Sequence, residues 1–200
     1  MSAQNLLHVF LRIFPETDAF LLAELLEKHL CKETIHYEEI DMEADQKRDL
    51  ILLAFEERIL IPIKSRSGPA WEDKILDFDK ASRYSIPPIV KAILKTMDTT
   101  GEPSCGAAIR ATLTDFIKKE IDGLIYLLQA IMKHADHYTF ETGLLDIFFK
   151  EADLDSDLHD IIDIFVICGI MSPCPQKSLL TGLSWYEINP TLYWDKTFLA

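Results

Sequence analysis

Four cysteines, seven glycines and only 20 Lys plus Arg are sparse for a chain of 200 residues. The cysteines, Cys31, Cys105, Cys168 and Cys174, form no C-x-x-C pair and are too few for a disulfide scaffold. Reduced thiols and a cytoplasmic setting are therefore expected. The glycines are too scattered to cradle a phosphate, and G-x-S-x-G and H-E-x-x-H are absent. No catalytic constellation stands out, so a non-enzymatic role without a cofactor is expected. No apolar run is long enough to span a bilayer, so no membrane partner is expected. The start, "MSAQNLLHVFLRIF", lacks a basic leader and a small-residue cleavage site, and it reads as a folded helix.

What is abundant is acid and apolar residues. There are 33 Asp plus Glu, giving a formal net charge of −13, and 48% of the residues are hydrophobic. That is enough apolar material for a core. Residues 1–100 hold 13 bases against 18 acids, and residues 101–200 hold 7 against 15. Neither half is a basic module, and long-range repulsion from nucleic acid follows unless bases gather on one face.

Two stretches share a pattern. "GPAW" (Gly68, Trp71) and "GLSW" (Gly182, Trp185) each follow an apolar helical run ending in "ILIP" or "IMSP", and each precedes β-forming residues. Upstream, "AFLLAELLEKHL" reads as a helix capped by Thr17 or Asp18, "TIHY" as a short strand, and the run from about Asp45 as a helix stopped by Pro62. "KKEIDGLIYLLQAIMKHA", "HYTF", "ETGLLDIFFKEA" and "DLDSDLHDIIDIFVICGIM" repeat that order up to Pro173. "SRSGP" and "CPQKSLLTG" read as turns, with "AWEDKILDF" and "LSWYEI" as returning strands. The helices correspond at an offset of 103 residues, Asp49–Pro62 over Asp160–Pro173 at 111, and the G-x-x-W pairs at 114.

This order of elements resembles the winged-helix variant of the helix-turn-helix. The resemblance implies a mainly α (α+β) chain of two winged-helix-like domains in tandem, each a three-helix core with a small β-wing. The expected division is 1–79, a helical connection 80–117, and 118–200. The glycine would turn the wing and the tryptophan would open its returning strand and seal it. Winged helices either read DNA or build protein complexes. For DNA, the third helix of the first copy offers Gln46, Lys47 and Arg48, and its wing Lys64, Arg66 and Lys74. Asp41, Glu43, Asp45, Asp49, Glu56 and Glu57 lie among them. The second copy has eight acids and one base between Glu141 and Asp163, which repels phosphate. Protein–protein contact or a homodimer is therefore the leading expectation, with DNA binding by the first copy as the alternative. The test is whether those bases converge on a surface free of acids.

Lesser motifs are weaker. His134 and His137 have helical zinc spacing but straddle a helix end, and "DLDSDLHD" lacks the glycine and glutamate of a calcium loop. No metal is expected. The aromatic end, with Tyr193, Trp194 and Phe198, reads as a segment packed on its own domain or as an arm reaching a second subunit.

Overall fold

The computed structural model describes residues 3–199. Nine α-helices and two small antiparallel sheets make up the described residues. The first half contains α1 (Ala3–Phe10), α2 (Glu16–His29), β1 (Ile35–His36), α3 (Ala44–Glu56), β2 (Ile61–Pro62) and β3 (Arg83–Ser85). Two helices follow, α4 (Pro88–Thr100) and α5 (Cys105–Leu113). The second half contains α6 (Ile121–His134), β4 (Thr139–Glu141), α7 (Thr142–Glu151), α8 (Leu158–Ile167), β5 (Met171–Pro173), α9 (Pro175–Thr181) and β6 (Trp185–Ile188). None of these helices is long and apolar enough to cross a membrane.

The two sheets have the same build. Their strand orders are β1-β3-β2 and β4-β6-β5, so in each the last strand runs between the other two. Register gives the true correspondence. Tyr84 pairs with Ile35 and Pro62, and Tyr186 pairs with Phe140 and Pro173. Each tyrosine is followed two residues later by a buried isoleucine, Ile86 or Ile188, that enters the core. The third helices match as well. Beyond α3 the chain turns at Arg58 (φ 54°), and beyond α8 it turns at Gly169 (φ 70°). The Ile59 amide then donates back to the Ala54 carbonyl, as Ile170 does to Phe165.

This register corrects the G-x-x-W reading. The partner of Trp185 in the repeat is Arg83, since each pairs beside the tyrosine of its sheet. Trp71 opens a 3₁₀ turn, Trp71–Asp73, and "AWEDKILDF" contributes only one isolated bridge, Ser65 to Lys74. Gly68 does not have the positive φ of a tight turn, whereas Gly182 does, at 72°, where it ends α9. So "CPQKSLLTG" is largely helix, and its glycine is a helix C-cap. Three further expectations change. Pro15 occupies the N-cap position of α2, with no side-chain cap, in place of Thr17 or Asp18. The helical connection expected over 80–117 consists of two separate helices, α4 and α5, the second ending before α6 begins. It also holds β3, so a boundary at 79/80 cuts through the first sheet.

One continuous hydrophobic core runs through both halves. It takes in Phe10 and Leu22 from the first, Ile93 and Ile109 from α4 and α5, and Leu127 and Phe165 from the second. The polar face of α1 is used for docking. Asn5 donates to the Asp98 carbonyl at the end of α4, and Arg12 forms a two-pronged pair with Glu102.

Candidate functional site

The bases named for DNA do not form one surface. Lys47 donates to the Tyr37 carbonyl and lies 4.6 Å over the Tyr37 ring. Arg48 lies 5.3 Å from the Phe78 ring centre. Lys64 is bound to Asp77 at 2.7 Å, and that hydrogen bond raises the pKa of its ammonium. Lys74 is half-buried, while Gln46 and Arg66 are exposed. Asp45 and Asp49 are also exposed on α3, four residues apart and therefore on one helical face beside them. Acids thus interleave with the bases that would have to meet phosphate.

The C-terminal segment packs inward. Trp194 is buried edge-on against Phe10 and Phe14, with ring centres at 5.7 and 6.0 Å. The Tyr193 hydroxyl donates to the Met132 carbonyl, and burial pushes its pKa up to about 12. Phe198 is buried, and its carbonyl accepts from Gln129. Asp195 anchors the segment by accepting from the amides of Cys105, Thr197 and Phe198 and from the Thr197 hydroxyl. Tyr193, Trp194 and Phe198 are accordingly part of the chain's own core and carry no outward arm.

The halves meet at a polar seam that sequence reasoning missed. The Arg58 guanidinium binds both carboxylate oxygens of Glu187, at 3.0 and 3.1 Å, and the two side chains are only 16% and 14% exposed. Arg58 also stacks over Phe55 and Trp71. The Trp71 amide donates to the buried Ser172 hydroxyl at 2.8 Å, and the Gln176 amide donates to Glu72. The Asn189 side chain donates to the Gly169 carbonyl at 2.9 Å and to the Arg58 carbonyl at 3.4 Å, joining the equivalent turns of the two halves. So Trp71 does seal, but it seals one half against the other. No local motif announces this, because the partners lie more than a hundred residues apart.

The most exposed large apolar side chains lie at the tip of the second half. Leu179 and Leu180 on α9 are 86% and 87% exposed, and Leu183 stands beside them. A depression of about 490 Å³ is lined by Pro175, Ser178, Leu179, Gly182, Leu183 and Ser184. The tip is held firmly from below. The Trp185 indole donates to the Thr181 hydroxyl, Lys177 sits 3.8 Å over the indole, and Ser178 accepts the Trp185 amide. Gly182 and Trp185 thus build the tip, and the leucines are what it presents. Two adjacent leucines between Ser178 and Thr181, with Leu183 a turn further on, were the available signal.

The titratable groups do not gather. Burial keeps the Cys105 thiol protonated and pushes Cys168 to about 11 and Cys174 to about 12, so none is a ready thiolate. His134 is held by the Ala130 carbonyl, and His137 is solvent-facing. Among the described residues no group of three or more His, Cys, Asp or Glu is placed to hold a metal. Asp157 caps α8 by accepting the His159 amide, which accounts for that aspartate.

A protein-family model matches residues 6–196 of the chain. The chain belongs to an uncharacterised protein family. No curated protein matches the chain. No solved structure matches it either.

Proposed function

We propose that this member of the family is a non-enzymatic interaction module, built of two winged-helix-like units in tandem and acting through protein–protein contacts or self-association. The observation that carries the reading is the leucine tip of α9. A short helix held from below that keeps Leu179 and Leu180 in water gains about 1.5–3 kcal/mol for each leucine that a partner covers fully. The repeated sheet order and the matching turns at Arg58 and Gly169 support the two-unit reading. The wing of the first unit is drawn into the seam through Trp71 and Glu72, which leaves the second wing as the outward one.

The alternative, a regulator reading DNA with the first unit, has less support. Lys47, Arg48 and Lys64 are each engaged within the chain, and acids lie among them. Fluorescence anisotropy of a labelled random-sequence duplex, titrated with the protein across a salt series, tests the choice. The expected result is no salt-sensitive binding. Binding that falls steeply with salt and is lost in Lys47→Glu/Arg48→Glu would overturn the interaction-module reading.

A further inference from the structure

The charge of the chain is unevenly placed. Residues 80–119 hold seven Lys plus Arg against three Asp plus Glu. Residues 1–79 hold nine against seventeen, and residues 120–200 hold four against thirteen. The segment 80–119 is thus net +4 in a chain of net −13, with Lys80, Arg83, Lys118 and Lys119 flanking its two helices. At its centre lies the α4–α5 pair, which carries Lys91, Lys95 and Arg110, with an open groove of about 500 Å³ between the helices. Pro88, Lys91, Ala92, Lys95 and Thr99 line one wall, at the spacing of one helical face. Asp115 and the half-exposed ring of Phe116 lie on the other. The Lys91 ammonium is tied to the Lys32 carbonyl at 2.8 Å, which fixes it at the rim.

The acidic complement lies next to this groove in the same chain. The Cys168 carbonyl, at the end of α8, accepts the Ile89 amide in the first turn of α4 at 3.0 Å. Gly169 packs so closely on Pro87 that an added Cβ would lie 2.5 Å from the proline ring. The acidic helix therefore ends where the basic helix begins, at a rigid joint. Outward on α8 stand Asp160, Asp163 and Ile167, spaced three and four residues apart on one face opposite the buried Ile161 and Phe165. Ile167, beside the joint, is 62% exposed. Followed through the joint, α8 offers Asp160, Asp163 and Ile167 on its exposed face, and α4 then offers Pro88, Lys91 and Lys95 on its own.

Such a stripe is complementary to its own reverse. We infer that the α8–α4 stripe is a homodimer surface. A two-fold axis at the joint sets Asp160 and Asp163 of one copy against Lys91 and Lys95 of the other, and the converse, with Ile167 and Pro88 at the centre. The occupant of the groove face is a second copy of this chain. The proposal rests on the reading of the chain as a protein-binding module, but on other residues than the leucine tip.

Sedimentation velocity on the full chain tests it. The wild type is expected to dimerise as concentration rises, and to do so less readily in high salt, because exposed charges more than about 10 Å apart are screened at 0.1 M. Lys91→Glu/Lys95→Glu and Asp160→Lys/Asp163→Lys should each weaken the dimer at least tenfold, since each sets like charge against like. Mixed in equal amounts, the two variants should dimerise again, because both contacts are then oppositely charged. Should the lysine pair unfold the chain, the exposed outer positions alone, Lys95→Glu and Asp160→Lys, replace the two double variants in the mixture. A wild type that stays monomeric, a dimer indifferent to both reversals, or a mixture that stays monomeric would each overturn the proposal. A dimer that ignores the charge reversals but is lost in Leu179→Asp/Leu180→Asp would also overturn it and leave the interaction-module reading standing. Failure of that reading is seen separately, as binding to duplex.

Discussion

Removing Glu187 from the seam should cost more than any surface substitution in this chain. Glu187→Gln leaves the Arg58 guanidinium, 16% exposed, without its counter-charge between the rings of Phe55 and Trp71. Breaking a fully buried pair costs about 3–5 kcal/mol, and the residual exposure of both partners reduces that to roughly 2–4. Arg58 also holds a positive φ that costs a non-glycine residue about 1 kcal/mol or more, so its side-chain contacts offset strain in the backbone. For a chain of this size, about 2–4 °C of midpoint shift accompanies each kcal/mol, so Glu187→Gln should unfold roughly 4–16 °C lower. The decisive assay is a double-mutant cycle by urea denaturation, using Arg58→Met and Glu187→Gln. A coupling of about 1.5 kcal/mol or more is expected. Effects that add within about 0.5 kcal/mol would refute the claim that this pair joins the halves.

Other consequences follow from burial. Leu179→Asp/Leu180→Asp should leave the unfolding midpoint within about 2 °C of wild type, because the leucines are exposed; a large drop would mean that they pack. His29 is buried with its Nδ1 unpartnered, and burial followed by Lys32 lowers its pKa below 6.5. The unfolded chain then binds the proton more readily, so stability should fall as pH drops below about 6.5, and His29→Leu should flatten the slope between about pH 6.5 and 5 in urea titrations. The carboxylates with lowered pKa, such as Glu39 and Glu102, act in the same direction but only below their ordinary range near 4.5. Finally, a thiol reagent should label Cys31 rapidly in the native chain and Cys105, Cys168 and Cys174 only on unfolding; a second fast thiol would contradict the packing around them.

Much of the secondary structure was legible because apolar spacing carries it. The helices α2, α3, α6, α7 and α8 and the short strands β1 and β4 fall where the pattern puts them, while Pro62 and Pro173, expected to stop helices, close the strands β2 and β5. The returning strand of the first sheet did not show. Its three residues, Arg83–Ser85, precede Pro87-Pro88 and follow a long loop, while the more β-prone "KILDF" draws the eye and stays largely unpaired. The paired tryptophans misled for the same reason. Trp71 and Trp185 both lie near a sheet, but pairing partners define equivalence, and the Tyr-x-Ile sequence at Tyr84 and Tyr186 was the better marker. The short helix α9 was hidden by Pro, Ser, Thr and Gly, which usually mark turns. The seam and the α8–α4 joint are long-range contacts that composition does not report. Only the charge distribution, read in three segments rather than two halves, hints at the joint.

On the proposed reading, this chain works by contact with protein, and first of all with a second copy of itself. Light scattering of the wild-type chain at low salt, over a range of concentrations, tests it most directly. A molar mass that climbs from the monomer's 22.9 kDa toward twice that value is predicted. A mass that stays at 22.9 kDa at every concentration would contradict it.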